Sequence, residues 1–189
     1  MKRSLNQCCD WIRARLPGLP EKCCVDDVLA AIGDDRGLFD KLLADWLREL
    51  PGDAAGATYC LVHDSRRWLG SELARDLARR IPDLPGDAAK ATYWLVRDSR
   101  ELLGDELARD LARRIPDLPG DAAWATCWLV RDSRELLGDE LARDLARRIP
   151  DLPGHAAKAT YWLVRDSRRW LGAELANELQ ARIKKLNRW

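Results

Sequence analysis

The 189-residue sequence has few of the residues on which catalytic and membrane proteins depend. It contains two histidines, one methionine and one phenylalanine, and no apolar run approaches the ~18 residues of a membrane span. The basic start, Met1 to Gln7, is followed by no apolar segment, so we expect no secretory signal. Because 32 basic residues balance 31 acidic ones, the net charge of +1 gives no general attraction to nucleic acid or anionic membrane. These features together predict a cytoplasmic protein without a membrane partner.

A repeat of 34 residues runs through the chain. The Pro-Gly pairs that open the copies begin at Pro51, Pro85, Pro119 and Pro153. The copies 85–118 and 119–152 differ at two positions only, and either recent tandem duplication or deliberate construction from one repeat accounts for such identity. A period of this length is typical of helical arrays in which each unit packs on the next.

One copy, 85–118, predicts two helices. Asp87 is a helix N-cap, and the stretch from Ala88 to Leu103 has no glycine or proline and forms helix A. Gly104 then ends helix A, and helix B runs from Asp105 to Ile115, where Pro116 stops it. The apolar stripes of the two helices lie on nearly opposite sides of one continuous helix, so a hairpin at Gly104 is needed to bury both. Within helix B we expect i,i+4 ion pairs between Asp105 and Arg109 and between Asp110 and Arg114.

The ends of the chain keep the 34-residue phase but change in composition. Ser4 and Gln7 form a capping box that opens the first helix, and Gln180 and Lys184 replace Ala146 and Pro150, so the last helix B continues toward the C-terminus. Polar ends are what an array of hairpins needs. The predicted units are a capping helix at 1–16, a degenerate first repeat at 17–50, repeats at 51–84, 85–118 and 119–152, and a C-terminal capping repeat at 153–189. A separate small helical domain over 1–50 is the alternative.

Within helix A, up to the position before its closing leucines, the differences among the copies fall on one stripe, which we call the helix A stripe. Five positions vary, spaced 3, 1, 3 and 4 residues apart, and the fifth holds arginine or glutamate. Tyrosine, tryptophan and arginine, which prevail here, are enriched in binding hot spots. The stripe is therefore the predicted partner-binding surface, although its tryptophans could instead pack between repeats. Its candidate residues are Lys90, Tyr93, Trp94, Arg97, Trp124, Cys127, Trp128, Arg131, Lys158, Tyr161, Trp162 and Arg165.

No motif in the sequence predicts a catalytic, cofactor or metal site. His63 and His155 stand at different repeat positions, so no histidine recurs beside the repeated Asp98-Ser99 to act as a base. Cysteines in adjacent positions diverge by about 100° on a helix and suit structural zinc poorly. We expect neither metal nor cofactor, and the cysteine pattern favours free thiols, with disulfide and metal-bound states left open. The six cysteines are Cys8, Cys9, Cys23, Cys24, Cys60 and Cys127.

The repeat length and hairpin layout resemble the tetratricopeptide class of αα-hairpin repeats. The family's residue pattern is not matched, since Leu95 stands where that class has a small glycine, and no functional residue is carried over. The resemblance implies an all-α, right-handed solenoid of about five 34-residue repeats with a concave groove. We therefore expect a non-catalytic scaffold that binds a protein, a peptide or another copy of itself. The alternative is single-stranded nucleic-acid binding by successive repeats, which Glu101 and Glu135 on the same stripe disfavour.

Overall fold

The computed structural model describes residues 10–16, 19, 30, 31, 38, 41, 42, 45, 46, 49, 53–69 and 71–186, with 64–69 as backbone. The predictions for the Ser4–Gln7 capping box, for the cysteines at 8, 9, 23 and 24 and for most of 17–50 lie outside these residues. Within them, every regular element is helical, which confirms the all-α class. The helices are α1 Ala54–Leu69, α2 Ser71–Arg80, α3 Ala88–Asp98, α4 Arg100–Leu103, α5 Asp105–Arg114, α6 Ala122–Asp132, α7 Arg134–Arg148 and α8 Ala156–Leu186.

Aspartate side chains cap the helices that open the repeats, as the sequence predicts. The carboxylate of Asp87 accepts a hydrogen bond from the amide of Lys90 at 3.1 Å, and Asp121 accepts one from the amide of Trp124 at 3.2 Å. These bonds satisfy amides that the first turn of a helix leaves without a partner. Local sequence therefore fixes where α3 and α6 begin.

Glycine separates the two helices of each hairpin. Gly104 has φ +74° and ψ 160°, and Gly138 and Gly172, which interrupt α7 and α8, have nearly the same angles. This region of backbone space is essentially restricted to glycine. The predicted break at Gly104 is thus confirmed. Helix B ends as a short 3₁₀ turn, Ile115–Asp117, so its α-helical part stops at Arg114, one residue before the predicted end.

Helix A is interrupted, whereas the sequence predicts one helix from Ala88 to Leu103. Ser99 has φ −123° and ψ 22°, which divides that stretch into α3 and α4, and Ser133 does the same in the next copy. Ser99 is buried on the apolar face, so the apolar periodicity contains no sign of the interruption.

Neighbouring hairpins pack through equivalent helices. Helix α3 lies against α1 and α6, and α6 lies against α8, while α5 packs against α7. Small side chains allow the close approach, because Ala88, Ala122 and their neighbouring alanines are fully buried. Main-chain bonds then join each helix A to the Pro-Gly turn one hairpin later: Ala55 N to Pro85 O at 3.0 Å, Ala89 N to Pro119 O at 3.0 Å, and Ala123 N to Pro153 O at 3.2 Å.

Arginines of helix B also connect hairpins, which corrects the ion pairs expected from the sequence. Arg109 donates through Nε to the carbonyl of Leu136 at 2.6 Å, and Arg114 forms its ion pair with Asp83 of the preceding hairpin. The equivalent pairs Arg148–Asp117 and Arg182–Asp151 recur along the chain. The aspartates expected as i,i+4 partners bind other arginines: Asp105 pairs with Arg100, and Asp110 with Arg113. Tertiary neighbours have displaced the pairing that an isolated helix would favour.

The last hairpin has a polar outer face. Gln180 is exposed where its counterpart Ala146 is completely buried, and α8 continues to Leu186 without the 3₁₀ turn of the other copies. The predicted extension of the final helix is confirmed as far as Leu186. No helix in the described part of the chain combines the length and apolar character needed to cross a membrane.

Candidate binding surface

The helix A stripe is carried by α3, α6 and the first half of α8, but its residues differ in exposure. Lysines and arginines of the stripe point to solvent: Lys90, Arg97, Arg131, Lys158 and Arg165. The four tryptophans are half-buried: Trp94, Trp124, Trp128 and Trp162. The structure thus brings most of the predicted residues to one surface and gives the tryptophans both roles, packing with part of each ring and exposing the rest.

Tyr93 is part of the interior and does not belong to the exposed surface. Its side chain is only 1% exposed, and its hydroxyl donates a hydrogen bond to Oδ2 of Asp132 in the next hairpin at 2.7 Å. Burial, together with the hydrogen bond to Asp132, raises the pKa of the Tyr93 phenol to about 12. Tyr59 makes the same bond to Asp98 at 2.9 Å, so this tyrosine position holds successive hairpins together.

Cys127 occupies the same position in the third copy and is also buried, at 1% exposure. Its thiol donates to the carbonyl of Ala159 at 3.3 Å, which again links one hairpin to the next. Burial raises the pKa of the thiol to about 12, so it stays protonated and is no nucleophile. Like Tyr93, it contributes to packing and offers nothing to a partner.

Tyr161 shows this position where no further hairpin packs on it within the described residues. Its side chain is 48% exposed, in contrast to the 1% of Tyr93 with the same neighbours in sequence. Its environment, and not its local sequence, makes it available.

Aspartates next to the stripe arginines are a functional set that the sequence reasoning missed. Asp132 accepts from Arg131 Nε at 2.6 Å as well as from Tyr93. Burial alone would raise the pKa of Asp132, but the hydrogen bonds from Arg131 and Tyr93 outweigh it and lower the pKa. The same aspartate recurs in every copy, which marks the position in the sequence, but this recurrence does not indicate which side chains donate hydrogen bonds to the carboxylate.

Four aromatic rings gather at the centre of the surface; we call Tyr93, Trp94, Trp124 and Trp128 the aromatic cluster. Ring centroids of Trp124 and Trp128 lie 5.4 Å apart with nearly parallel planes, and Trp94 lies 6.3 Å from Trp128 across the hairpin boundary. Tyr93 lies 5.1 Å from Trp94 and 5.6 Å from Trp128. These are the separations at which aromatic pairs attract each other. The buried tyrosine therefore forms the floor of the cluster, and the tryptophans form its accessible edge.

Arginines of the stripe are already neutralised. Arg97 pairs with Asp98 at 2.7 Å, and its guanidinium carbon lies 3.7 Å from the ring centroid of Trp94. Arg165 repeats this arrangement, with Asp166 at 2.7 Å and with Trp162 at 3.5 Å. In the middle copy the stacking partner of Trp128 is Trp124. The centre of the surface thus presents apolar rings where the flanking copies present an arginine over a ring.

Lys90 and Lys158 carry the uncompensated positive charges beside the aromatic cluster. Both replace Trp124 in the flanking copies, both are exposed, and neither ammonium group forms an ion pair with any residue of the described ranges. The surface accordingly consists of an apolar centre with one unpaired positive charge on each side.

A second concave region is less suited to binding a ligand. A groove of about 400 Å³ between α3 and α7 is lined by four arginines, but it is also lined by acids such as Asp132 and Glu135. Its outer arginines, Arg100 and Arg134, are bound by Asp105 and Asp139, each at 2.8 Å. Carboxylates already occupy the donors that an anionic ligand would need.

Histidines in the described residues serve local contacts. His63 stacks on Tyr59 at 5.7 Å, and His155 bonds through Nδ1 to the Oδ2 of Asp121 at 2.6 Å. The second contact joins the residue that precedes α8 to Asp121, the N-cap of α6. The described part of the chain holds no group of three or more histidine, cysteine or acidic side chains able to bind a metal.

Comparison with protein-family models, with curated proteins and with solved structures finds no match to this chain. The chemistry of the surface just described therefore carries the functional conclusion.

Proposed function

We propose that this protein is a non-catalytic helical-repeat scaffold whose helix A surface binds a protein or peptide. Its architecture would be a right-handed αα-hairpin solenoid of about five 34-residue repeats, similar to the tetratricopeptide class. Support for this comes from the packing of equivalent helices and from the main-chain bonds that recur at each hairpin boundary. The cysteine pattern, which fits no disulfide framework, supports a cytoplasmic location.

The observation that carries the binding proposal is the aromatic cluster. Three half-buried tryptophans meet at a surface where otherwise near-identical copies differ. Tryptophan offers a large rigid contact area at little entropic cost, and exposed clusters of apolar rings mark interaction sites. The two flanking copies carry lysine at the position of Trp124 and form the same helices, so the fold does not need this ring.

A substitution copied from the sister repeats tests the proposal. Trp124→Lys introduces the residue found at Lys90 and Lys158, so the helix and its cap should be retained. We would select a displayed random peptide library on the wild-type protein and on Trp124→Lys, with Arg113→Lys on the opposite helix as the matched control. We expect the wild type and the control to enrich the same peptides and Trp124→Lys to lose them.

The same peptides enriched by all three proteins would refute this surface as the binding site. Nucleic acid, the alternative, is tested with mixed single-stranded DNA: binding that falls steeply with salt would replace the peptide proposal.

A further inference from the structure

The charges around the aromatic cluster indicate what kind of peptide fits there. The charges of Arg97 and Arg165 are compensated by ion pairs with the neighbouring Asp98 and Asp166. The ammonium groups of Lys90 and Lys158 have no such partner within the described residues and stand on either side of Trp124 in the repeat order. A ligand that covers this surface must therefore supply two negative charges with an apolar group between them, since unpaired charges lose favourable hydration when they are covered.

Repeat geometry sets the spacing of those groups. Lys90, Trp124 and Lys158 occupy equivalent positions on three helices that pack successively, α3 on α6 and α6 on α8. Packed helix axes lie about 8–10 Å apart, so the two lysines should be roughly 16–20 Å apart with Trp124 midway. An extended chain of the polyproline II type advances about 3.1 Å per residue, so this distance corresponds to roughly five or six residues. Such a chain has three residues per turn, and the first, fourth and seventh side chains therefore lie on one face.

We propose that Lys90, Trp124 and Lys158 recognise an extended peptide with two acidic residues five or six positions apart and an aromatic or large apolar anchor between them. This inference rests on the proposed function and specifies its ligand. The anchor would contact the accessible edges of Trp124 and Trp128, and each acidic side chain would face one lysine.

A second copy of the chain suits the surface less well. In a two-fold symmetric contact centred on Trp124, Lys90 of one copy would approach Lys158 of the other, and like charges would repel each other. A nucleic-acid backbone is disfavoured by the exposed carboxylates of Glu101 and Glu135 on the same stripe. An acidic peptide that crosses the helices at Lys90 and Lys158 avoids the first obstacle and places its two charges eleven positions away from these glutamates along the stripe, which a continuous polyanion cannot do.

The test uses defined peptides on the full chain. A fluorescein-labelled peptide of sequence Asp-Ser-Ser-Phe-Ser-Ser-Asp is titrated with protein and followed by anisotropy. Three comparison peptides replace both aspartates by lysine, replace phenylalanine by alanine, or place the two aspartates side by side. We expect the first peptide to bind tightest, and its affinity to fall as salt screens the charges.

Protein variants then test each lysine. Lys90→Glu and Lys158→Glu should each weaken the acidic peptide about 5- to 30-fold, because a favourable contact becomes a repulsive one. Lys185→Glu, an exposed lysine of helix B, is the control and should leave affinity unchanged. The double variant Lys90→Glu/Lys158→Glu should prefer the lysine-flanked peptide, a reversal that damage to the fold would not produce.

Three results would overturn the inference. If acidic and basic peptides bind equally and both depend on Trp124, the charge and spacing inference is wrong while the binding surface stands. If no defined peptide binds at millimolar concentration, this ligand class is wrong, and the library selection on Trp124→Lys decides the binding surface separately. If the acidic peptide binds Trp124→Lys as tightly as the wild type, both the ligand class and the binding surface are wrong.

Discussion

Replacing Tyr93 by phenylalanine removes one hydrogen bond between hairpins, together with the longer bond that the hydroxyl accepts from Arg97 of its own helix at 3.3 Å. The ring would stay in place, and the hydroxyl that donates to Asp132 at 2.7 Å would be removed. A hydrogen bond to a charged group contributes about 1.5–3 kcal/mol. Since Asp132 keeps the bond from Arg131 at 2.6 Å, the carboxylate is not left without a partner. We therefore expect a loss near or slightly below the lower end of that range, about 1–2 kcal/mol of unfolding free energy, equal to about 5- to 30-fold in the equilibrium constant.

Tyr161→Phe is the matched control, because the position and the local sequence are the same but the ring is 48% exposed. Urea denaturation followed by circular dichroism gives the free energy of unfolding for each variant. Tyr161→Phe should change it by less than about 0.5 kcal/mol, as surface substitutions usually do. If both variants lie within that margin of the wild type, the Tyr93–Asp132 bond does not hold the hairpins together as argued.

Four further changes test other parts of the structure. The pKa of Tyr93 is raised from 10.0 to about 12, so its neutral form stabilises the fold below pH 10, and that contribution is lost between pH 10 and about 12. Tyr93→Phe should remove this part of the loss of unfolding free energy at alkaline pH, as measured by urea denaturation at a series of pH values. Gly104→Ala should lower the free energy of unfolding measured in urea by about 1–3 kcal/mol. Backbone strain alone would cause this loss, because an added Cβ would meet no atom within 4 Å, and an unchanged midpoint would contradict the strain. Gly56→Ala in α1 should instead stabilise by up to about 1 kcal/mol. An added Cβ would meet the Asp53 carboxylate that caps α1, but this side chain can turn aside, since the equivalent caps Asp87 and Asp121 accept from residues that carry a side chain. A lower midpoint in urea would contradict this expectation. Cys127→Ala should not change the number of thiols that a thiol reagent labels in the native protein, but it should lower the number labelled in urea by one. A lower number in the native protein would mean that the Cys127 thiol is accessible.

Local chemistry allowed much of the helical framework to be predicted. The N-cap at Asp87 and the break at Gly104 follow from residue properties that act within a few positions, and the structure confirms both. The interruption at Ser99 was not predictable, because its buried side chain continues the apolar pattern of helix A without change. Periodicity specifies which face is buried but not whether a helix continues without interruption.

The helix A stripe, predicted from the sequence as a surface, is exposed only in part. Charged side chains such as Lys90 are exposed, as the stripe requires, but Tyr93 and Cys127 are buried one residue away from half-buried tryptophans. Adjacent residues on a helix point about 100° apart, so a stripe at the edge of the core mixes both environments. The exact position of that edge depends on how closely the next hairpin approaches.

The sequence by itself determined the repeat, the ends of most helices and the face on which the copies differ, because each of these depends on local preferences repeated along the chain. Only the tertiary structure decided the partners. Tyr93 and Tyr161 have the same neighbours in sequence, yet one is buried against Asp132 and the other is 48% exposed, because within the described residues a further hairpin packs only on the first. Arg114 likewise binds Asp83 of the preceding hairpin and not Asp110 of its own helix. Such contacts depend on which surfaces packing brings together, and that information is not contained in any one copy of the repeat.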